Sequence, residues 1–127
     1  MAFLKTNLAD QKSLAGLLIV APDLTENPEL LITGNVAGSF YLVRIDNTAN
    51  PDPVYAKLKD GVAVSPGTDH PDWIFYAAAG SVVTYAIPLG ASYSAGLSLW
   101  CVLGAESTGG DSNNGPTNDV IVRIVAN

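Results

Sequence analysis

The pattern of apolar and polar positions predicts a series of short β-strands from residue 28 onward. Runs rich in apolar, aromatic and branched residues occupy residues 30–33, 39–45, 54–59, 73–76, 81–87, 97–103 and 120–125. Gly, Pro, Asn and Asp, the residues that form turns, separate these runs. Short strands at near-regular spacing predict an all-β fold, an antiparallel β-sandwich of jelly-roll or Ig-like type.

The run at residues 54–59 shows the clearest alternation. Successive side chains of a strand point to opposite faces, so one face carries Val54, Ala56 and Leu58 and the other carries Tyr55, Lys57 and Lys59. The first face is predicted to lie in the core and the lysines to face solvent. A strand that begins at residue 81 is predicted to end at Pro88, because proline cannot donate a hydrogen bond to a central ladder.

The first 28 residues lack this alternation. Apolar residues concentrate at positions 1–4 and 14–24, and a partial helical stripe would allow a short helix over residues 8–20. The stretch could equally be an arm that lies along a neighbouring subunit, or an added edge strand, and we favour these two. The predicted organisation is an N-terminal arm or edge segment at residues 1–28, followed by a β-sandwich domain at residues 29–127.

The apolar stretch at residues 14–21 is too short to predict a membrane span, which needs about 18 consecutive apolar residues. It also makes a poor signal sequence, because Asp10 stands in the would-be basic region and no small-x-small cleavage site precedes Pro22. The expectation is a protein made and assembled in the cytoplasm, with no membrane partner.

The net charge and the low content of charged residues limit the classes of partner that the chain could bind. The chain has 127 residues, a net charge of −6 and only 14% charged residues, against about 25% in ordinary domains. Nucleic-acid binding needs clustered Lys and Arg, whereas the six basic residues here are scattered. No nucleic-acid partner is therefore predicted. A surface with so little charge suits a chain packed against protein neighbours.

The sequence predicts no catalytic residues, and hence no enzyme. His70 is the single histidine available as a base, and Gly90-Ala91-Ser92-Tyr93-Ser94 lacks the final glycine of a nucleophile elbow. Cys101 lies in an apolar run and is expected to be a buried small hydrophobe. Turn formation explains most carboxylates, namely Asp23, Asp46, Asp52, Asp60, Asp69, Asp72 and Asp111.

No metal or cofactor is predicted either. Residues 111–115 loosely match the start of a calcium loop, but Gly115 takes the fifth position and no glutamate follows at the twelfth. A set of aromatic residues leaves two interpretations open, because they could pack in the core or form a stacking platform for sugars: Trp73, Tyr76, Tyr93 and Trp100.

A succession of segments resembles a known group of proteins. Residues 44–50 lead into residues 54–60, and Pro71-Asp72 and residues 83–90 and 93–98 follow. This succession resembles small β-sandwich virion proteins of tailed bacteriophages, of the capsid decoration (cement) protein type. The resemblance runs from Phe40 to Val125 and transfers no functional residue. It implies a homotrimer on the outer capsid surface that ties subunits of the major capsid protein together.

The expected function is therefore that of a structural virion protein, specifically a capsid decoration protein. A phage tail or baseplate component would share the same sandwich. A carbohydrate-binding module would show an exposed row of aromatic residues, and an enzyme would bury His70 in a cleft beside a serine or carboxylate.

Overall fold

The computed structural model describes residues 16–127, which form two antiparallel sheets and no helix. The strands are β1 (Leu17–Leu24), β2 (Gly38–Asp46), β3 (Val54–Asp60), β4 (Trp73–Ala77), β5 (Val82–Tyr93), β6 (Leu97–Val102) and β7 (Val120–Ala126). One sheet has the order β1-β7-β2-β5 and the other β4-β3-β6. The prediction of an all-β antiparallel sandwich is confirmed.

The core lies between the two sheets and follows the alternation of each strand. Val54, Ala56 and Leu58 of β3 are fully buried, as predicted, and belong to the same apolar cluster as Ile45 of β2 and Ile124 of β7. Burying a side chain such as Leu58 contributes about 1.5–3 kcal/mol of stability. The inward faces of the two sheets therefore hold each other in place.

Strand β5 does not end at Pro88, so that prediction is wrong. The strand continues to Tyr93, and a register shift opposite Phe40 and Leu42 places residues 87–90 in a bulge. Proline is tolerated here because β5 is the edge strand of its sheet and because the bulge leaves the ladder unpaired at this point.

Strand β1 is the opposite edge of the four-stranded sheet and pairs antiparallel with β7. The helix considered over residues 8–20 is wrong for its described part, since Leu17 to Val20 are extended; residues 8–15 lie outside the described residues. An edge strand is thus formed within the predicted N-terminal segment. The division of the chain at residue 28 stays a prediction.

The predicted strand at residues 30–33 is a loop instead. Leu31 has a left-handed backbone, with φ of 51°, which interrupts an extended conformation. The segment still lies beside β6, through a bridge between Glu29 and Leu99 and a 2.8 Å hydrogen bond from Ile32 N to Leu97 O. It covers an edge of the three-stranded sheet without forming a regular strand.

The polar loop after β6 covers part of the outer face of the three-stranded sheet. Lys57 is only 1% exposed there, and its Nζ donates a 2.7 Å hydrogen bond to the backbone carbonyl of Glu106. Trp100, opposite Lys57 on β6, is also 1% exposed. The prediction that Lys57 faces solvent is therefore wrong, because alternation gives the face of a residue and not what covers that face.

Buried asparagines join three connections at one end of the sandwich. Asn47 Nδ2 donates to the carbonyls of Asp52 (2.9 Å) and Ala78 (3.1 Å), and its Oδ1 accepts from Asn50 (2.9 Å). Asn50 Oδ1 in turn accepts from the backbone N–H of Asn118 at 2.7 Å. This network fixes the β2–β3, β4–β5 and β6–β7 connections relative to one another.

Candidate functional site

His70 is exposed on the loop before β4 and does not form a catalytic constellation within residues 16–127. Its backbone carbonyl accepts a hydrogen bond from Lys59, and its ring hydrogen-bonds to no described serine or carboxylate. Ser92, at the central position of the incomplete nucleophile elbow, has its Oγ 3.4 Å from Ser39 Oγ, and Ser94 Oγ donates a hydrogen bond to Asp60. The geometry offers no nucleophile–base pair among these residues.

Cys101 is a core residue of β6 and is fully buried. Burial raises the pKa of its thiol to about 12, with a small opposing effect of Lys57. The thiolate that nucleophilic chemistry and metal binding require is therefore suppressed at neutral pH.

Five of the seven predicted turn carboxylates accept hydrogen bonds from described residues. Asp46 accepts from Thr48, Asp69 from the N–H of Ser65, and Asp60 from the N–H groups of Ser94 and Ala95. Asp72 accepts from the N–H of Asp60, and Asp111 from the Asn114 amide. Asp46, Asp69 and Asp111 therefore shape local turns. Asp60 and Asp72 instead join segments that are distant in sequence, and Asp23 lies within strand β1, so the turn prediction is wrong for Asp23.

Polar groups of the calcium-like loop at residues 111–115 are likewise hydrogen-bonded within the protein. Glu106 Oε1 accepts a 2.7 Å hydrogen bond from Asp111 N, and this bond lowers the pKa of the Glu106 carboxyl. Among residues 16–127, no group of three His, Cys, Asp or Glu side chains is placed to hold a metal ion. That part of the chain also encloses no ligand-sized cavity, and it has no helix that could cross a membrane.

The four candidate aromatic residues do not form a platform. Trp100 and Tyr93 are buried, and Trp73 is half-buried with its ring 5.0 Å from that of Phe40 in an edge-to-face contact. Only Tyr76 is exposed, and it stacks on Tyr55 with ring centroids 5.4 Å apart. The sequence analysis missed this pair, although Tyr55 was already placed on the outer face of β3.

The outer face of the four-stranded sheet, which we call the arginine face, exposes several large apolar side chains. Leu18, Val20 and Val82 on its two edge strands are 64%, 45% and 43% exposed. The outward positions of all four strands define the face, namely Leu18, Val20, Leu42, Arg44, Asp46, Val82, Thr84, Ala86, Ile121, Arg123 and Val125. It is therefore a mostly apolar sheet surface with a charged centre.

Arg44 and Arg123 are the only arginines of the chain, and they stand directly opposite each other on the two central strands. Asp46 lies one outward position further along β2. Its Oδ1 accepts hydrogen bonds from the Thr48 hydroxyl (2.6 Å) and N–H (3.1 Å). These bonds lower the pKa of Asp46, and the two arginines add a smaller effect in the same direction.

Sequence reasoning missed the arginine face because its residues come from four distant segments. Arg44 and Arg123 are 79 positions apart (123 minus 44), and only the pairing of β2 with β7 brings them together. The available signal was local, since Arg123 interrupts the otherwise apolar strand β7 and Arg44 interrupts the apolar and aromatic run at residues 40–45 of β2.

The chain matches no known protein family, no curated protein and no solved structure in comparisons of its sequence and fold.

Proposed function

We propose that this chain is a structural virion protein, a capsid decoration protein that binds the assembled phage head through protein–protein contacts. Its partner is the major capsid protein, and it sits on the outer capsid surface as a homotrimer. The observation that carries the proposal is the arginine face, a large, mostly apolar sheet surface left open by residues 16–127. Surfaces of this kind mark protein interaction sites.

The arrangement of the described residues supports binding to other proteins rather than catalysis. The sandwich has its own buried core, so the arginine face is not needed to complete the fold. The small fraction of charged residues, 14%, means that few charges must be desolvated when the chain packs against protein neighbours. Binding only the assembled shell stabilises it by mass action, and many copies on one lattice add their effects.

The stacked pair of Tyr55 and Tyr76 favours a second candidate, a carbohydrate-binding module. Aromatic rings on an open sheet face offer apolar surface with a hydroxyl at the rim, and Tyr76 is 41% exposed. The pair is small, and the rings cover one another, with planes inclined by only 20°. A glycan array tests this candidate, with Tyr76→Ala as the variant that should abolish any signal.

The mass of the purified protein, measured by light scattering across a concentration series, tests the decoration proposal. A stable trimer is expected. A monomer at all concentrations, together with a positive glycan array, would replace the proposal with the carbohydrate-binding function. Rings or fibres of higher order would instead indicate a tail or baseplate component.

A further inference from the structure

We propose that the arginine face is the surface that docks on the partner, and that the partner is a protein surface presenting carboxylates within an apolar surround. The inference deepens the proposed function and rests on it for the partner's place in the virion. The evidence for the surface itself comes from the apolar residues, the arginine pair and the state of Asp46.

The apolar part of the face is ordered in rows across the four strands. One row runs Leu18, Val125, Leu42 and Ala86, and the next outward row places Val20 and Thr84 on either side of the arginines. Leu18 and Val20 remain largely exposed. Transfer of these side chains from water to a partner would be favourable, because burial of apolar surface is the dominant driving force of association.

The arginine pair indicates the charge of that partner. Like charges directly opposite on neighbouring strands destabilise a sheet, and Arg44 and Arg123 are in that relationship. Both are half-buried, as expected when the aliphatic stems pack on the sheet and the guanidinium groups reach outward. A carboxylate from outside would relieve the repulsion, since guanidinium groups bind carboxylates through paired hydrogen bonds.

Within residues 16–127, the carboxylate on this face interacts only weakly with the arginines, whose effect on Asp46 is smaller than that of its hydrogen bonds with Thr48. Asp46 is the one acidic residue at the outward positions that define the face, and its Oδ1 accepts both hydrogen bonds from Thr48. With respect to the described residues, the arginines therefore keep donor capacity for a further carboxylate. Two of the six basic residues thus lie side by side on one face of a protein whose net charge is −6.

The same charges argue against a second copy as the occupant. Two arginine faces packed together would gather four guanidinium groups against two Asp46 carboxylates, each already bonded to Thr48. A nucleic acid is disfavoured by the acidic chain, because phosphate recognition needs several clustered cations. A protein surface with carboxylates and apolar side chains would complement both the arginine pair and the apolar side chains of the face.

Selection from a random peptide library provides the test. The full-length protein is immobilised and used to select peptides from a library of random 12-residue sequences, and the enriched peptides are synthesised for affinity measurements. We expect them to combine Asp or Glu with large apolar residues. We expect at least tenfold weaker binding to Arg44→Glu/Arg123→Glu, and an intermediate loss with Arg44→Gln, which removes one charge and keeps a shorter polar side chain that can still donate a hydrogen bond.

Matched controls come from the other sheet. Val82 on the arginine face and Ile74 on the outer face of β4 have nearly the same exposure, 43% and 44%. Val82→Glu should weaken peptide binding, whereas Ile74→Glu should leave it unchanged. Lys59→Glu, a charge reversal on the outer face of β3, should also have no effect. Thermal melting of every variant shows whether the fold is retained.

Any of the following results would overturn the inference: no enriched peptides, peptides that bind the Arg44→Glu/Arg123→Glu variant equally well, or a self-associated protein that this variant converts to monomers. Binding of anionic vesicles in preference to peptides would likewise replace the protein partner with a membrane. Failure of the proposed function is a separate result, in which selected peptides bind the arginine face and phage heads do not. If phage heads bind the Arg44→Glu/Arg123→Glu variant as well as they bind the original protein, the inference is refuted and the proposed function is not.

Discussion

Replacement of Cys101 by alanine should change how stability depends on pH. Burial raises the thiol pKa from 9.0 to about 12. Below pH 9 the thiol is protonated in both the folded and the unfolded chain, so its titration contributes no pH dependence. Between pH 9 and pH 12 the unfolded chain loses the proton and the folded chain keeps it, which favours unfolding.

The magnitude follows from the size of this shift. Each pKa unit corresponds to about 1.36 kcal/mol, so the native protein should lose about 4 kcal/mol between pH 9 and pH 12 through this one group. Cys101→Ala removes the titration and leaves a small cavity, with a cost of about 1 kcal/mol at neutral pH. The two stability curves should therefore cross near pH 10, and the variant should be the more stable protein at pH 11.

Urea unfolding at pH 7, 9, 10 and 11, followed by tryptophan fluorescence under reducing conditions, measures both curves. Lys57 has a pKa lowered by burial, and this raises stability as pH approaches 10.5. Because both proteins contain Lys57, its contribution largely cancels in the difference between them. A difference that stays constant from pH 9 to pH 11 would refute the buried position of Cys101.

Three further substitutions test the packing and the charges. Leu58→Ala should cost about 2–5 kcal/mol in urea unfolding, because Leu58 is fully buried in the core; a loss below about 0.5 kcal/mol would place the side chain at the surface. Asn47→Ala should cost at least about 2 kcal/mol, because it leaves buried carbonyl partners unpaired; unchanged thermal unfolding would show that water replaces the amide. Arg123→Val should stabilise the isolated protein by about 0.2–1 kcal/mol by removing the like-charge pair, and a lower melting temperature would show that the arginines support each other.

The strand pattern was predictable where one short segment carries the information. The alternation of residues 54–59 gave the buried face of β3, and the apolar run ending near residue 125 gave β7. Pro88 misled the prediction because its effect depends on whether β5 is a central or an edge strand, and strand order comes from tertiary pairing. The run at residues 30–33 has strand composition but lacks strand geometry at Leu31.

The surfaces were less predictable than the core, because they depend on contacts between distant segments. Lys57 follows the alternation of β3, yet the loop after β6 buries it. Two of the four aromatic residues considered for a sugar platform, Trp100 and Tyr93, are buried, and the stacked ring pair that is present includes Tyr55. The arginine face requires the β2–β7 register, which places two isolated arginines opposite each other.

Co-sedimentation with phage heads tests the central proposal most directly. Heads assembled from purified major capsid protein and free of decoration protein are mixed with this chain, and unassembled capsid subunits serve as the control. Saturable binding to assembled heads, with little or no binding to free subunits, is the result expected of a decoration protein. Absence of binding to heads, or equal binding to free subunits, would contradict a role in stabilising the assembled shell.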